Sequence, residues 1–317
     1  MKKIFFILAA IAAMVSCSKA DVNTDTYNGD FSNLVPVELE FGGLCVDEGV
    51  VTTRMVDNIS GDTHTFSWEA GDKISMILHT ATVSSGLPQN AQVFNCSSNF
   101  FSANKTGNTS SFTGMLPRGD IEAMFGTSDK VGIWAIYPAV SLNVADEMTN
   151  DYGYNNYNIT GPSIPSVQDG TGLKYCYFVS SASKFDLRHF TMSSGPSPFY
   201  LSHSLVKFKT ESESEIVKVE IKGGTSELSG DLTYYQGRYY LQTGCLGTSL
   251  TIENNGQALN DELYFACRRF KKDDSITFTF TASDNTKSVR TYKPSAEFHR
   301  GIFDLGTVTL DNWTPAE

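Results

Sequence analysis

The sequence predicts an all-β protein built from two β-sandwich domains in tandem. Three observations carry that expectation. Short segments in which apolar and polar residues alternate recur along the chain, as half-buried strands require. Turn clusters such as Ser60-Gly61-Asp62, Gly223-Gly224 and Asn254-Asn255-Gly256 separate many of them. Only residues 118–126, RGDIEAMFG, have a helical look, and that helix would be short. The 317 residues suffice for two ordinary domains, and 40% hydrophobic with 12% aromatic content supplies a core without disulfide staples.

The chain begins MKKIFFILAAIAAMVSC. Lys2 and Lys3 form a positive start, and Ile4 to Val15 an apolar run too short to span a bilayer well. Ser16 then precedes Cys17, with Met14 where a leucine is usual. This resembles a bacterial lipoprotein signal, which implies cleavage before Cys17 and acylation of its thiol and new amine. Residues 1–16 are read as the signal peptide and the polar residues 17–33 as a tether that lets the body stand off a membrane.

The first strand is VELEF, with Val37, Leu39 and Phe41 on one face and Glu38 and Glu40 on the other. Arg54 follows it in the polar stretch VVTTRMVDN, with no other basic residue between Phe31 and Ser60. It reads either as a solvated loop residue or as a site for a trypsin-like protease. Further strands are expected at 72–79, 130–138, 175–182, 198–209, 238–242, 248–253, 262–267 and 302–310, with EIVKVEIK and SITFTFTA showing the clearest alternation. Residues 141–172, rich in Asn, Asp, Tyr and Gly, are expected to form a long irregular connection. Ser193 to Pro198, SSGPSP, gives the best internal boundary. The expected domains are therefore 34–193 and 194–317.

Charge and cysteines bound the function. The net charge of −11 becomes −13 once the two signal-peptide lysines are removed, and an acidic body argues against nucleic acid. Beyond Cys17 there are Cys45, Cys96, Cys176, Cys245 and Cys267, an odd set whose spacing fits no zinc site. They read mostly as small buried apolar residues, with a Cys245–Cys267 bridge left open. The five histidines form no HxH or HExxH arrangement, and no GxSxG elbow or P-loop occurs. No catalytic residue, cofactor or metal is therefore expected. His203, in FYLSHSLVKF, is expected to be structural, buried between the two sheets of the second domain. Arg118-Gly119-Asp120 spells a tripeptide that some integrins bind, but a tripeptide arises readily by chance and a plain acidic turn is the preferred reading. Asp274-Ser275-Ile276 resembles a bacterial O-glycosylation acceptor, against which a plain strand start is weighed. The tyrosines of 152–158 and 234–240 are candidate sugar-stacking residues, Tyr152, Tyr154 and Tyr157 foremost, although such tyrosines more often cover sheet faces.

Taken together, Cys17, VELEF, Thr53-Arg54, FSWEAGDKI (66–74), SSFTGMLP (110–117), IWAIYPA (133–139), IPSVQ (164–168), FYLSHSLVKFK (199–209) and GIFDLGTVTLDNW (301–313) resemble the fimbrillin-like (Mfa-like) proteins of anaerobic Gram-negative bacteria. That family includes pilus subunits and pilus-associated adhesins. The resemblance spans most of residues 37–313. It implies two transthyretin-like β-sandwich domains and a lipid anchor in the outer membrane. It further implies proteolysis after an arginine that follows the first strand, and head-to-tail addition of a strand from another subunit. The expected partners are other pilus subunits or further copies of this chain, and a host or bacterial surface ligand. The rival readings are a surface glycan-binding lipoprotein and, more remotely, a hydrolase with a dispersed site.

Overall fold

The computed structural model describes residues 33–45, 67–80, 93–96, 100–126, 131–149, 155–180, 183–193, 195–235, 238–241, 247–298 and 301–315. Strands dominate it, and the one α-helix among the described residues is Arg118–Phe125, inside the segment whose pattern suggested it. The all-β expectation is met.

In the first body, hydrogen bonding between strands closes on itself. Lys73–Thr80 pairs with Phe101–Ala103, which pairs with Ser110–Pro117. That strand pairs with Leu34–Cys45, which continues to Ser197–Leu201 and then Phe178–Ser180. Val131–Tyr137 completes the circuit by pairing with both Phe178–Ser180 and Lys73–Thr80. The uninterrupted apolar run of Val131–Tyr137 reflects a strand covered on both faces. Every one of its residues is buried, so no polar face survives to give a period of two. Aromatic and aliphatic side chains from these strands, with Trp68, Phe101 and Phe178 among the largest, fill a single core.

The second body is a β-sandwich of a three-stranded and a six-stranded sheet. The smaller sheet runs Glu262–Cys267, Ser204–Glu211, Gly301–Thr309, the last pair parallel. The larger one centres on Ile216–Lys222, flanked by Ile276–Ala282 and Ser249–Glu253. Between them lie Val206, Phe208, Val219, Ile252, Phe265 and Phe280. The opposite face of the three-stranded sheet is covered too, because Leu205, Tyr264 and Ala266 belong to the first body's core. One small sheet therefore serves as a wall for both cores. That is why Ser204–Phe208 is buried at five consecutive positions instead of alternating.

The two halves also exchange segments, and several boundaries differ from those the sequence suggested. PFYLSHSLVKFK is two strands rather than one: Ser197–Leu201 belongs to the first sheet and Ser204–Glu211 to the second body. The break falls at Ser202-His203, where the backbone passes from one core to the other. The sheets thus do not part at 193/194. Residues 141–172 are not an irregular connection. Asn143–Thr149 and Asn155–Ile164 form a hairpin, extended across the halves by Gly230–Tyr235 and Arg238–Leu241. The outer partner of Asn155–Ile164, Gly230–Tyr235, is far away in the chain, so no local pattern announces that pairing.

The IPSVQ stretch crosses in the same sense. Val167–Gln168 pairs in parallel with Ser249–Glu253, at one edge of the six-stranded sheet. The buried Gln168 side chain meanwhile treats the edge of the facing sheet as a backbone would. Its Nε2 donates to Ala266 O and its Oε1 accepts from Ala266 N, each at 2.8 Å. Tyr264 N donates to Gly170 O at 2.7 Å. This segment closes one open side of the second sandwich and satisfies buried backbone groups that would otherwise be costly.

Candidate assembly site: the slot of the first strand

The first strand, Leu34–Cys45, is held on both sides. Residues 34–41 pair antiparallel with Ser110–Pro117, and Phe41, Leu44 and Cys45 pair in parallel with Ser197–Leu201, with a register shift between Phe41 and Leu44. From Pro36 to Phe41 its residues alternate between exposed and buried, as VELEF predicts. Val37, Leu39, Phe41 and Leu44 are each at most 4% exposed. At roughly 1.5–3 kcal/mol for a fully buried side chain of this size, the four together are comparable to the net stability of a whole domain. Phe41 stands edge-on between Phe112 and Phe199, with centroids 5.7 and 5.3 Å away.

The SWEAGD stretch, Ser67 to Asp72, locks the strand. Trp68 is fully buried and packs edge-on against Phe112, Tyr137 and Phe199. Its indole N–H donates to Gly42 O at 2.9 Å, and its backbone exchanges two hydrogen bonds with Gly107. The chain then turns through Gly71, at φ +94°, where a side chain would be strained. Asp72 accepts from Glu69 N at 2.8 Å and from the Tyr137 hydroxyl at 3.0 Å. Burial and the Asp72 carboxylate push the Tyr137 phenol well above its usual range, so it stays a donor. In WEAGD, then, Trp68 grips the strand, Gly71 makes the turn and Asp72 fixes it.

Of the other candidates, Cys17, Arg54, Tyr152, Tyr154 and Cys245 lie outside the described residues. Tyr157 lies in Asn155–Ile164, whose sheet also carries Tyr234 and Tyr239, paired with each other, with Tyr234 opposite Ile159. Cys96, Cys176 and Cys267 are free and buried, and burial raises all three thiols, Cys96 to about 12. Ser275 is exposed, while the Asp274 carboxylate before it is occupied by Thr225 N and Ser226 N. Arg118-Gly119-Asp120 forms the first turn of the helix, with Arg118 bonded to Glu122 at 2.7 Å and stacked over Phe190. Among the described residues there is no group of three or more His, Cys, Asp or Glu placed to hold a metal.

His203 is fully buried, but not between the two sheets of the second domain. It sits at the crossing point of the two bodies, its Nε2 3.0 Å from Tyr175 O and its ring beside Tyr177. A carbonyl only accepts, so Nε2 carries the proton. Burial, aided by Arg268, lowers its pKa to about 3. The sequence showed an apolar neighbourhood but not that two cores meet there.

The fold has a solved counterpart. A candidate cell adhesion protein from Bacteroides uniformis superposes with a TM-score of 0.50 and 14% identity, over 89% of this chain and 94% of that one. The chain shares that protein's fold. A second candidate cell adhesion protein, from Bacteroides ovatus, matches at TM-score 0.42 and 14% identity, over 89% of this chain and 96% of that one. The tip fimbrial protein Mfa3 of Porphyromonas gingivalis matches at 0.34 and 8%, over 88% and 99%. Those two superpositions are too loose to equate individual strands. Comparison with protein families finds no match, nor does comparison with curated proteins.

Proposed function

We propose that this protein is a fimbrillin-like surface lipoprotein, anchored through Cys17 in the outer membrane, acting as a pilus subunit or pilus-associated adhesin. In this reading a cut after Arg54 frees the body, the first strand leaves, and a strand from another subunit takes its place. Such head-to-tail addition does not close on itself and yields a filament. The observation that carries the reading is the first strand's position. It is central, bonded on both sides and buried at four apolar positions, and it precedes Arg54 in the chain, so a cut there would separate it from the remaining strands. No reaction is assigned. The shared fold with a candidate adhesion protein is consistent with it.

Limited digestion with an arginine-specific protease, followed by sizing and N-terminal sequencing, tests the proposal. A new N-terminus at Met55 together with larger assemblies is the expected result. A resistant Arg54, or a cut chain that stays a stable monomer, overturns the assembly step. Mass spectrometry of the N-terminal peptide tests the anchor separately: unmodified Cys17 within a longer peptide removes it.

A second reading, glycan capture, is favoured by one observation. Cross-half pairing brings the strand of Tyr157 and the tyrosine-rich strands of 230–241 into one sheet. Affinity electrophoresis in polysaccharide gels, with Tyr157→Ala beside the unaltered chain, checks it; equal mobility with and without polysaccharide rules it out.

A further inference from the structure

We propose that Gly42, Pro198 and Trp68 form a gate that restricts which strand the slot accepts: an extended segment of the order apolar–x–apolar–glycine–x–apolar, with glycine at the place Gly42 now fills. This rests on the strand-replacement reading above and specifies the partner that reading needs.

The gate lies where the first strand changes neighbours. Up to Phe41 it runs beside Ser110–Pro117, and from Phe41 onward it runs beside Ser197–Leu201, with the register slipping at Gly42-Gly43. At that slip the strand passes close to its parallel partner. A Cβ on residue 42 would stand 3.2 Å from Pro198 N and Cα and 3.3 Å from Ser197 C. These are backbone atoms of a strand that stays paired with Phe178–Ser180 when the first strand leaves, not the far end of a flexible side chain, so relief requires the strand itself to give by a few tenths of an ångström. Glycine is favoured here by space, not by an unusual backbone angle, since Gly42 is not among the positive-φ residues.

The second half of the gate is polar. Trp68 Nε1 donates to Gly42 O, and the ring is wedged among Phe112, Tyr137 and Phe199 with no exposed surface. A buried donor fixed in that way demands an acceptor. An incoming strand must therefore bring its carbonyl to the same point, and this sets its register to the residue. On either side of the gate the slot takes the places of Leu39 and Phe41 before the glycine and Leu44 after it, all at most 1% exposed. Register and residue order are thereby read together: a strand shifted by one residue would put a side chain against Pro198 and its polar face into the core.

The order is rare enough to discriminate. With an acidic residue between the first two apolar positions, it occurs in this chain at Leu39-Glu40-Phe41-Gly42-Gly43-Leu44 and again at Phe303-Asp304-Leu305-Gly306-Thr307-Val308.

The test places the substitution in the incoming strand, so the folding of the body is not at issue. The full chain is cut after Arg54, the cut being confirmed by sequencing from Met55. Fluorescently labelled peptides spanning residues 34–45 are then added in excess, one unaltered and one with Gly42→Ala. Incorporation is read by co-elution on sizing. The unaltered peptide should enter, and the Gly42→Ala peptide at least tenfold less. In a chain carrying Trp68→Phe, retention of the unaltered peptide should weaken while discrimination against alanine persists, because the two halves of the gate are separate. Equal entry of both peptides overturns the gate and leaves strand replacement standing. Entry of neither, with the cut confirmed, overturns strand replacement and the gate with it.

Discussion

The first strand, Leu34–Cys45, and the last long strand, Gly301–Thr309, are written alike and placed differently. Both carry apolar, acidic, apolar, glycine, spacer, apolar in that order. Both pair in parallel with a neighbour, and both slip register near the glycine. Yet the first strand is flanked on two sides and is buried at Val37, Leu39, Phe41 and Leu44. The last is an edge strand in which only Gly301 is buried. What separates them is the number of neighbours the fold supplies. A strand between two others loses both its side-chain contacts and two ladders of hydrogen bonds when it leaves, whereas an edge strand loses one ladder and half-exposed contacts.

The largest test of that contrast is a matched pair of truncations. Phe41→Ala should cost about 3–5 kcal/mol, as for a fully buried phenylalanine, while Leu305→Ala, on a half-buried edge residue, should cost only about 1 kcal/mol. Denaturant unfolding of both variants measures the difference, and equal losses would break the comparison.

Next comes the covered edge of the second body. Gln168→Ala removes two buried hydrogen bonds and strands Ala266 N and O, at about 1–3 kcal/mol for each group left unsatisfied. Thermal unfolding should show a loss close to that of a core truncation. Hydrogen exchange at Ala266 should speed up as well; an unchanged rate would mean that Gln168 is not the group protecting this edge.

Acid sensitivity contrasts the first body with the crossing point of the two. Burial lowers His79 to about 4 and His203 to about 3, against an ordinary value of 6.5. Both are neutral in the folded chain, so the unfolded chain binds protons first as pH falls. The stability that depends on their neutrality is complete above pH 6.5. It is lost progressively as pH drops through 6.5 toward about 4 for His79 and about 3 for His203. Urea midpoints at pH 7.5 and 5 should fall in the unaltered chain, and His203→Gln should flatten that fall. A slope unchanged by the substitution would exclude His203 as a source of the acid sensitivity.

The smallest effect is expected at Arg118. Its pair with Glu122 is exposed and spaced i,i+4, a geometry that contributes about 0.3–0.5 kcal/mol. Arg118→Ala should therefore shift the midpoint barely at all, and a loss near that of Gln168→Ala would show the stack on Phe190 to be structural.

Much of the fold was legible because strands with one wet face must alternate. VELEF, EIVKVEIK and SITFTFTA all became strands with apolar residues inward, although a register shift between Ile216 and Lys218 buries Ile216 in place of the expected Val217. The helix was legible from its short pattern between strands. Trp68, Gly71 and Asp72 stood out as a motif, although their separate roles did not. Gln168 went unnoticed as a functional part: a glutamine that binds the backbone of the facing sheet resembles any polar loop residue until its partner Ala266 is placed.

By itself the sequence determined the all-β class, the alternating strands and the pairing of apolar side chains with an interior. These follow from interactions among neighbours along the chain, where side-chain period and burial are coupled. Only the tertiary structure decided which strand would be central and which an edge. It alone decided that FYLSHSLVKFK would divide at His203 between two cores, and that residues 164–171 would close a sandwich assembled mostly from the other half. Those outcomes depend on contacts between residues tens to a hundred positions apart, whose hydrogen bonds run through backbone groups that every residue carries alike. A backbone ladder leaves no mark on side-chain order, so its partners become visible only when the chain is folded.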